Sequence, residues 1–180
     1  MKVSGILILL LLLAMSAAAQ PGPAGKAGTF RFVQESGAHT ARLAFRTGPF
    51  NRSKHRITHS KRLDLMVLAV DGRIALGVDG NVPRTEIRSV EVSFDGKKVM
   101  VPRSLYTDCF EPNFGKSFFA IKAGDDGGSV LVFMAGGDAA GGYQVIWVLR
   151  KDGRHSRFST ACSDCDYTGF MSFFEDQFAR

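Results

Sequence analysis

Cysteine is scarce in this chain: Cys109, Cys162 and Cys165 are the only three in 180 residues. So small and odd a number excludes a scaffold held together mainly by disulfides. Tryptophan occurs once and tyrosine three times, against fifteen phenylalanines. Aromatics are therefore available to fill an interior, but the interleaved rings on which nucleic-acid modules stack bases are missing, and no sequence-specific nucleic-acid partner is expected. Acids are nearly absent from residues 20 to 63, which hold nine Lys/Arg and only Glu35 on the other side. Residues 64 to 180 hold thirteen Lys/Arg against sixteen Asp/Glu, so the net charge of +6 is concentrated toward one end.

Catalytic signatures are also lacking. There is no Gly-x-Ser-x-Gly elbow. Gly115-Lys116-Ser117 imitates the end of a phosphate-binding loop, but Phe110 stands where the earlier glycine is needed. His55 and His59 have the i, i+4 spacing of a zinc-protease helix, yet Arg56 replaces the glutamate base and would repel a cation. Cys162-Ser163-Asp164-Cys165 has redox spacing, but Asp164 and Asp166 would raise the thiol pKa, and no βαβ context surrounds it. The bland reading is a structural disulfide, either Cys109 to one of the pair or a tight Cys162–Cys165 loop. Cys109, Cys162, Cys165 and His155 are the residues of zinc-ligand type, a single CxxC without a second knuckle. Asp125, Asp126 and Asp138 lie in glycine-rich turns and offer oxygens to calcium, although turn geometry alone explains them. No cofactor is expected, and the enzyme question leans to no.

One long apolar run is present. Lys2, the unbroken run Gly5 to Met15, and Ala17-Ala18-Ala19 have the three parts of a cleaved secretory signal, with the cut expected before Gln20. The run is about half the roughly 20 residues that span a bilayer, so no transmembrane segment is expected after cleavage. This assigns residues 1–19 to a signal peptide, 20–29 to a flexible Gly/Pro leader and 30–180 to one domain, secreted or periplasmic.

What fills that domain is alternation broken by Asp-Gly. Leu65–Val70 and Arg73–Val78 flank Asp71-Gly72; Ile87–Phe94 and Lys97–Val101 flank Asp95-Gly96; Tyr143–Lys151 and Arg154–Ser159 flank Asp152-Gly153. Asp-Gly between alternating segments is the strongest short-range hairpin signal, because both central residues of a type I′ turn need positive φ. A fourth hairpin, Ser129–Met134 with Tyr143–Leu149, is joined through Gly136–Gly142. Val130–Met134 and Val145–Leu149 are apolar on both faces and read as central strands. Phe30–Val33 and Thr40–Arg46 read as short strands, followed by a basic, weakly patterned loop from Thr47 to Arg62. Phe170, Phe173, Phe174 and Phe178 make Gly169–Phe178 a short amphipathic helix or a last strand. The expected fold is all-β: an antiparallel β-sandwich or squat barrel built from Asp-Gly hairpins.

The best binding candidate is the acid-free stretch carrying Arg42, Arg46, Arg52, Lys54, Arg56, Lys61 and Arg62, with Phe50 as the one aromatic of its 47–62 loop. Such a patch attracts an anionic surface or envelope component. The leading expectation is an exported, non-catalytic binding or accessory module. The alternatives are an exported metal-dependent hydrolase using Cys or His ligands, and an envelope-interaction protein that uses a free thiol.

Overall fold

The computed structural model describes residues 27–36, 38–115, 118–124, 127–137 and 141–161. The signal, residues 20–26 of the leader, Cys162, Cys165, the carboxylates 125, 126 and 138, and the Phe-rich segment 169–178 lie outside the described residues. The end of the expected leader is already strand, beginning at Gly28, where the sequence alternation does not reach. Eleven strands are described: β1 (Gly28–Ser36), β2 (His39–Pro49), β3 (Ile57–His59), β4 (Val67–Val70), β5 (Arg73–Ile74), β6 (Thr85–Phe94), β7 (Lys97–Val99), β8 (Phe119–Ala123), β9 (Ser129–Gly136), β10 (Tyr143–Arg150) and β11 (His155–Ala161). They form two four-stranded sheets, ordered β1-β2-β6-β7 and β11-β10-β9-β8, and a small sheet β3-β4-β5. Every strand pair is antiparallel.

The two larger sheets face each other across one core. Ala41, Leu43 and Phe45 of β2 and Val90, Val92 and Phe94 of β6 meet Val130, Val132 and Met134 of β9 and Val145, Trp147 and Leu149 of β10. Period-2 alternation on β2 and β6 places these side chains inward and the charged ones outward. Phenylalanine closes one edge: Phe32 and Phe45 stack or tilt on Phe119 at 5.2 and 4.7 Å between centroids, and Phe114 lies parallel to Phe119 at 5.7 Å. β9 and β10 are central in their sheet and buried on both faces, with Phe133, Ala135 and Ile146 forming a second cluster opposite the main core.

The first two Asp-Gly turns have the expected geometry. Asp71 and Gly72 take φ of 53° and 80°, Asp95 and Gly96 take 49° and 75°, as type I′ turns require. The third differs. Only Gly153 is left-handed there, at φ 87°, while its N–H donates to Arg150 O at 3.0 Å and Arg150 N–H donates to Arg154 O at 2.9 Å. This is a type I turn closed by a glycine in the left-handed region, so the β10–β11 loop is longer than two residues.

The basic stretch is not a loop. β2 runs on to Pro49, with a register shift against β6 between Arg46 and Thr47, and β1 pairs with it from His39 to Thr47. Asn51 then caps a 3-10 turn, its Oδ1 accepting from the backbone N–H of Ser53 at 3.1 Å, and β3 follows. The Arg73–Val78 arm is also shorter than alternation suggests. β5 ends at Ile74, and the chain turns to pair Leu76 with Cys109 in an isolated parallel bridge.

Candidate functional site

The cations of the basic stretch fall into two groups. Arg42 and Arg46 project from the outer face of the first sheet. Cross-strand register sets Arg31 beside Ala44, and Arg42 in a row with Ser93 and Lys98. Small floors and long walls make a shallow recess of about 400 Å³, lined by Arg31, Val33, Arg42, Ala44, Ser93 and Lys98 with Glu91 as its one acid. The second group follows β2: Arg52 and Lys54 on the 3-10 turn, Arg56 ahead of β3, and Lys61 and Arg62 in the turn leading to β4, all exposed. None of these side chains makes a hydrogen bond or ion pair among the described residues. Arg31 and Lys98 were invisible as site members in the sequence. Only the register across three strands brings them to Arg42.

Two histidines serve as locks beside this surface. Asp95 Oδ1 accepts the Thr40 N–H at 2.9 Å while its Oδ2 lies 2.9 Å from His39 Nδ1. Asp71 repeats the arrangement: Oδ1 accepts the Arg56 N–H at 2.9 Å and Oδ2 lies 2.7 Å from His55 Nδ1. In both, the Asp N–H returns to the same residue's carbonyl, Thr40 or Arg56, at 2.8 Å. The aspartate of each type I′ turn thus fastens the neighbouring strand. His55 is held further: Nε2 lies 2.9 Å from Glu86 Oε2, whose other oxygen meets Arg88 NH1 at 2.6 Å, and the Phe50 ring stacks on the imidazole at 4.6 Å. Both ring nitrogens of His55 thus lie against carboxylates. His59 points elsewhere, its Nδ1 2.7 Å from Leu65 O, so the i, i+4 pair does not converge.

The interior polar cluster centres on Asp108. It accepts from Arg73 NH2 at 2.9 Å and from Arg157 NH1 at 2.7 and 2.8 Å. Cys109 is a free thiol buried beside it, 3.6 Å from Arg157 NH2 and 3.7 Å from Asp108 Oδ1. Cys109 is therefore not in the first of the two expected pairings, the disulfide to Cys162 or Cys165; the other, Cys162–Cys165, lies outside the described residues. Burial pushes the thiol far up, outweighing the Arg157 guanidinium that pulls it down. Burial also raises the Tyr143 hydroxyl. A guanidinium sits where a metal beside Cys109 would need space, and His155 is exposed at the start of β11. Among the described residues no three His, Cys, Asp or Glu side chains gather as metal ligands. Cys162 and Cys165, the other zinc and disulfide candidates, lie outside the described residues.

Asp71 gives a pH prediction. The His55 hydrogen bond, then the Arg56 N–H, hold its carboxyl below the ordinary 3.8 despite some desolvation. The Thr40 N–H and then His39 do the same for Asp95. A carboxyl lowered in the folded state contributes stability above its unfolded value and loses it as pH falls through the folded one. Urea titrations at successive pH values should therefore show stability falling below pH 3.8, with a flatter acid limb in the Asp71→Asn/Asp95→Asn variant. An acid limb of unchanged slope would mean that other carboxylates govern it.

No family model, characterised protein or solved structure matches the chain. No helix among the described residues is long and apolar enough to cross a membrane.

Proposed function

We propose that the protein is an exported, non-catalytic binding module that takes an anionic partner on its basic surface. The observation that supports this best is the set of exposed cations, from Arg31 and Arg42 on the first sheet to Arg62 before β4, without carboxylate partners among the described residues. Cationic side chains concentrated on one part of a molecule raise the local concentration of anions. The signal-like residues 1–19 support the export part of the reading. Cys109 is enclosed, which argues against chemistry at that point.

Immobilised heparin serves as a generic polyanion to test this. Binding should weaken steeply with salt. Changing Arg52, Lys54 and Arg56 to Glu should weaken it by about 100-fold at low ionic strength, at about 1 kcal/mol for each surface cation. Reversal of Arg31, Arg42 and Lys98 reports separately on the recess. Binding that ignores salt and both triple reversals overturns the proposal.

A further inference from the structure

Large apolar side chains that the fold leaves in water are concentrated in one place. Of the seven among the described residues, five are Leu63, Leu65, Met66, Leu68 and Ile74; the others are Val33 and Met100. Leu65 is 70% exposed and Ile74 75%. All five belong to the small sheet or the turn that feeds it. The inner face of that sheet is already satisfied, because Val67 and Val70 pack with Val78 and Phe110. The pairing of β3 with β4 skips Leu68, matching His59 to Val67 and Thr58 to Ala69, so a bulge turns Leu68 outward while Val67 and Val70 both stay in.

The turn is built to hold its leucines out. Ser60 Oγ accepts the N–H groups of Arg62 and Leu63 at 3.1 and 3.0 Å, Met66 N–H donates to Leu63 O at 2.8 Å, and His59 lies 2.7 Å from Leu65 O. Asp64 and Leu65 are held at φ of 41° and 61°, a conformation that a leucine adopts only under constraint. An exposed apolar patch on a braced support marks a contact surface.

Charge selects the occupant. Lys61 and Arg62 sit within the turn and Arg56 precedes β3, all exposed and without ion pairs. Of the acids nearby, Asp71 is engaged by His55 and the Arg56 N–H and Asp108 by two arginines, which leaves Asp64 in the turn and Asp79, next to the Gly80 whose carbonyl accepts the Val67 N–H, as exposed carboxylates without ion pairs among the described residues. Two copies meeting through this face would bring cations against cations. An anionic bilayer fits both features: apolar tips enter the acyl boundary while Lys and Arg meet the headgroups. We infer that the β3-β4-β5 sheet and the turn 61–66 form a docking face for an anionic lipid surface, entered by Leu63, Leu65, Leu68 and Ile74. This rests on the reading of the basic surface given above and names its partner.

The test uses the exported full chain and vesicles of phosphatidylcholine with or without phosphatidylglycerol. The wild type should sediment with the anionic vesicles alone. A Leu63→Ser/Leu65→Asn/Ile74→Thr variant should lose that binding by about 100-fold while keeping its affinity for heparin; asparagine suits the left-handed position, so folding is not the variable. Separately, an Ile74→Trp protein should show a blue shift on anionic vesicles that the wild type lacks, since Trp147 is fully buried and away from the vesicle. Heparin binding without vesicle binding, or an apolar variant that binds vesicles as the wild type does, overturns the inference and leaves the basic-surface reading standing. Failure to bind either heparin or vesicles overturns both. A wild-type dimer that the apolar variant dissociates would assign the face to a second copy and also overturn it.

Discussion

Asp108→Ala is expected to cost about 3–5 kcal/mol of folding free energy, because it leaves a buried guanidinium without its counter-charge. Arg157 is the residue that suffers: its side chain is 14% exposed, and both carboxylate oxygens of Asp108 lie within 2.8 Å of its NH1. Arg73, at 38%, can turn to water and contributes less. The three residues come from β5, the loop before Cys109, and β11, so the cluster joins the small sheet to the second large one. Chemical denaturation of the single variant and of Asp108→Leu/Arg157→Met separates two accounts. If the cost is that of an orphaned charge, the double variant recovers most of the loss, since well-packed apolar replacements of a buried pair are often neutral. A loss below about 1 kcal/mol for Asp108→Ala would mean that water already screens the pair.

Nothing in the sequence pairs Arg73 with Asp108 or Arg157 with Cys109, because such contacts depend on topology and leave no local period. The sandwich itself was legible. Asp71-Gly72 and Asp95-Gly96 announce their turns because positive φ at two successive positions is a local, intrinsic demand. The two-faced apolar runs around Phe133 and Ile146 likewise read correctly as central strands. Asp152-Gly153 misled, since Asp-Gly also fits a type I turn with one left-handed glycine. The stretch after Arg46 read as a loop because Thr47, Gly48 and Pro49 break the alternation, although β6 still pairs with all three. The candidate surface was half legible: composition located the cations, but Arg31 and Lys98 join Arg42 only through cross-strand register. The outward leucines were hidden for the opposite reason. Leu65 to Val70 is apolar at every position, and only the bulge at Leu68 decides which side chains face water.

Gly77→Ala should be the most damaging conservative change outside the core, at about 2–6 kcal/mol from backbone strain and overpacking together. Gly77 adopts φ 93°, and a Cβ there would overlap the Phe110 carbonyl oxygen and lie 2.8 Å from Tyr143 Cε1. Neither neighbour can withdraw. Phe110 is fixed by its N–H to Leu76 O at 2.9 Å, Leu76 N–H returns to Asp108 O at 2.9 Å, and the Tyr143 ring is fully buried against Gly136. Gly96→Ala supplies the control. It shares the left-handed backbone, at φ 75°, but an added Cβ meets nothing within 4 Å, so it pays the strain alone, about 1–2 kcal/mol. The difference between the two variants in urea midpoint isolates the steric contribution at the seam where the small sheet joins the loop carrying Asp108 and Cys109. Equal losses would show that the Phe110 carbonyl moves aside, and that this seam is softer than its hydrogen bonds imply.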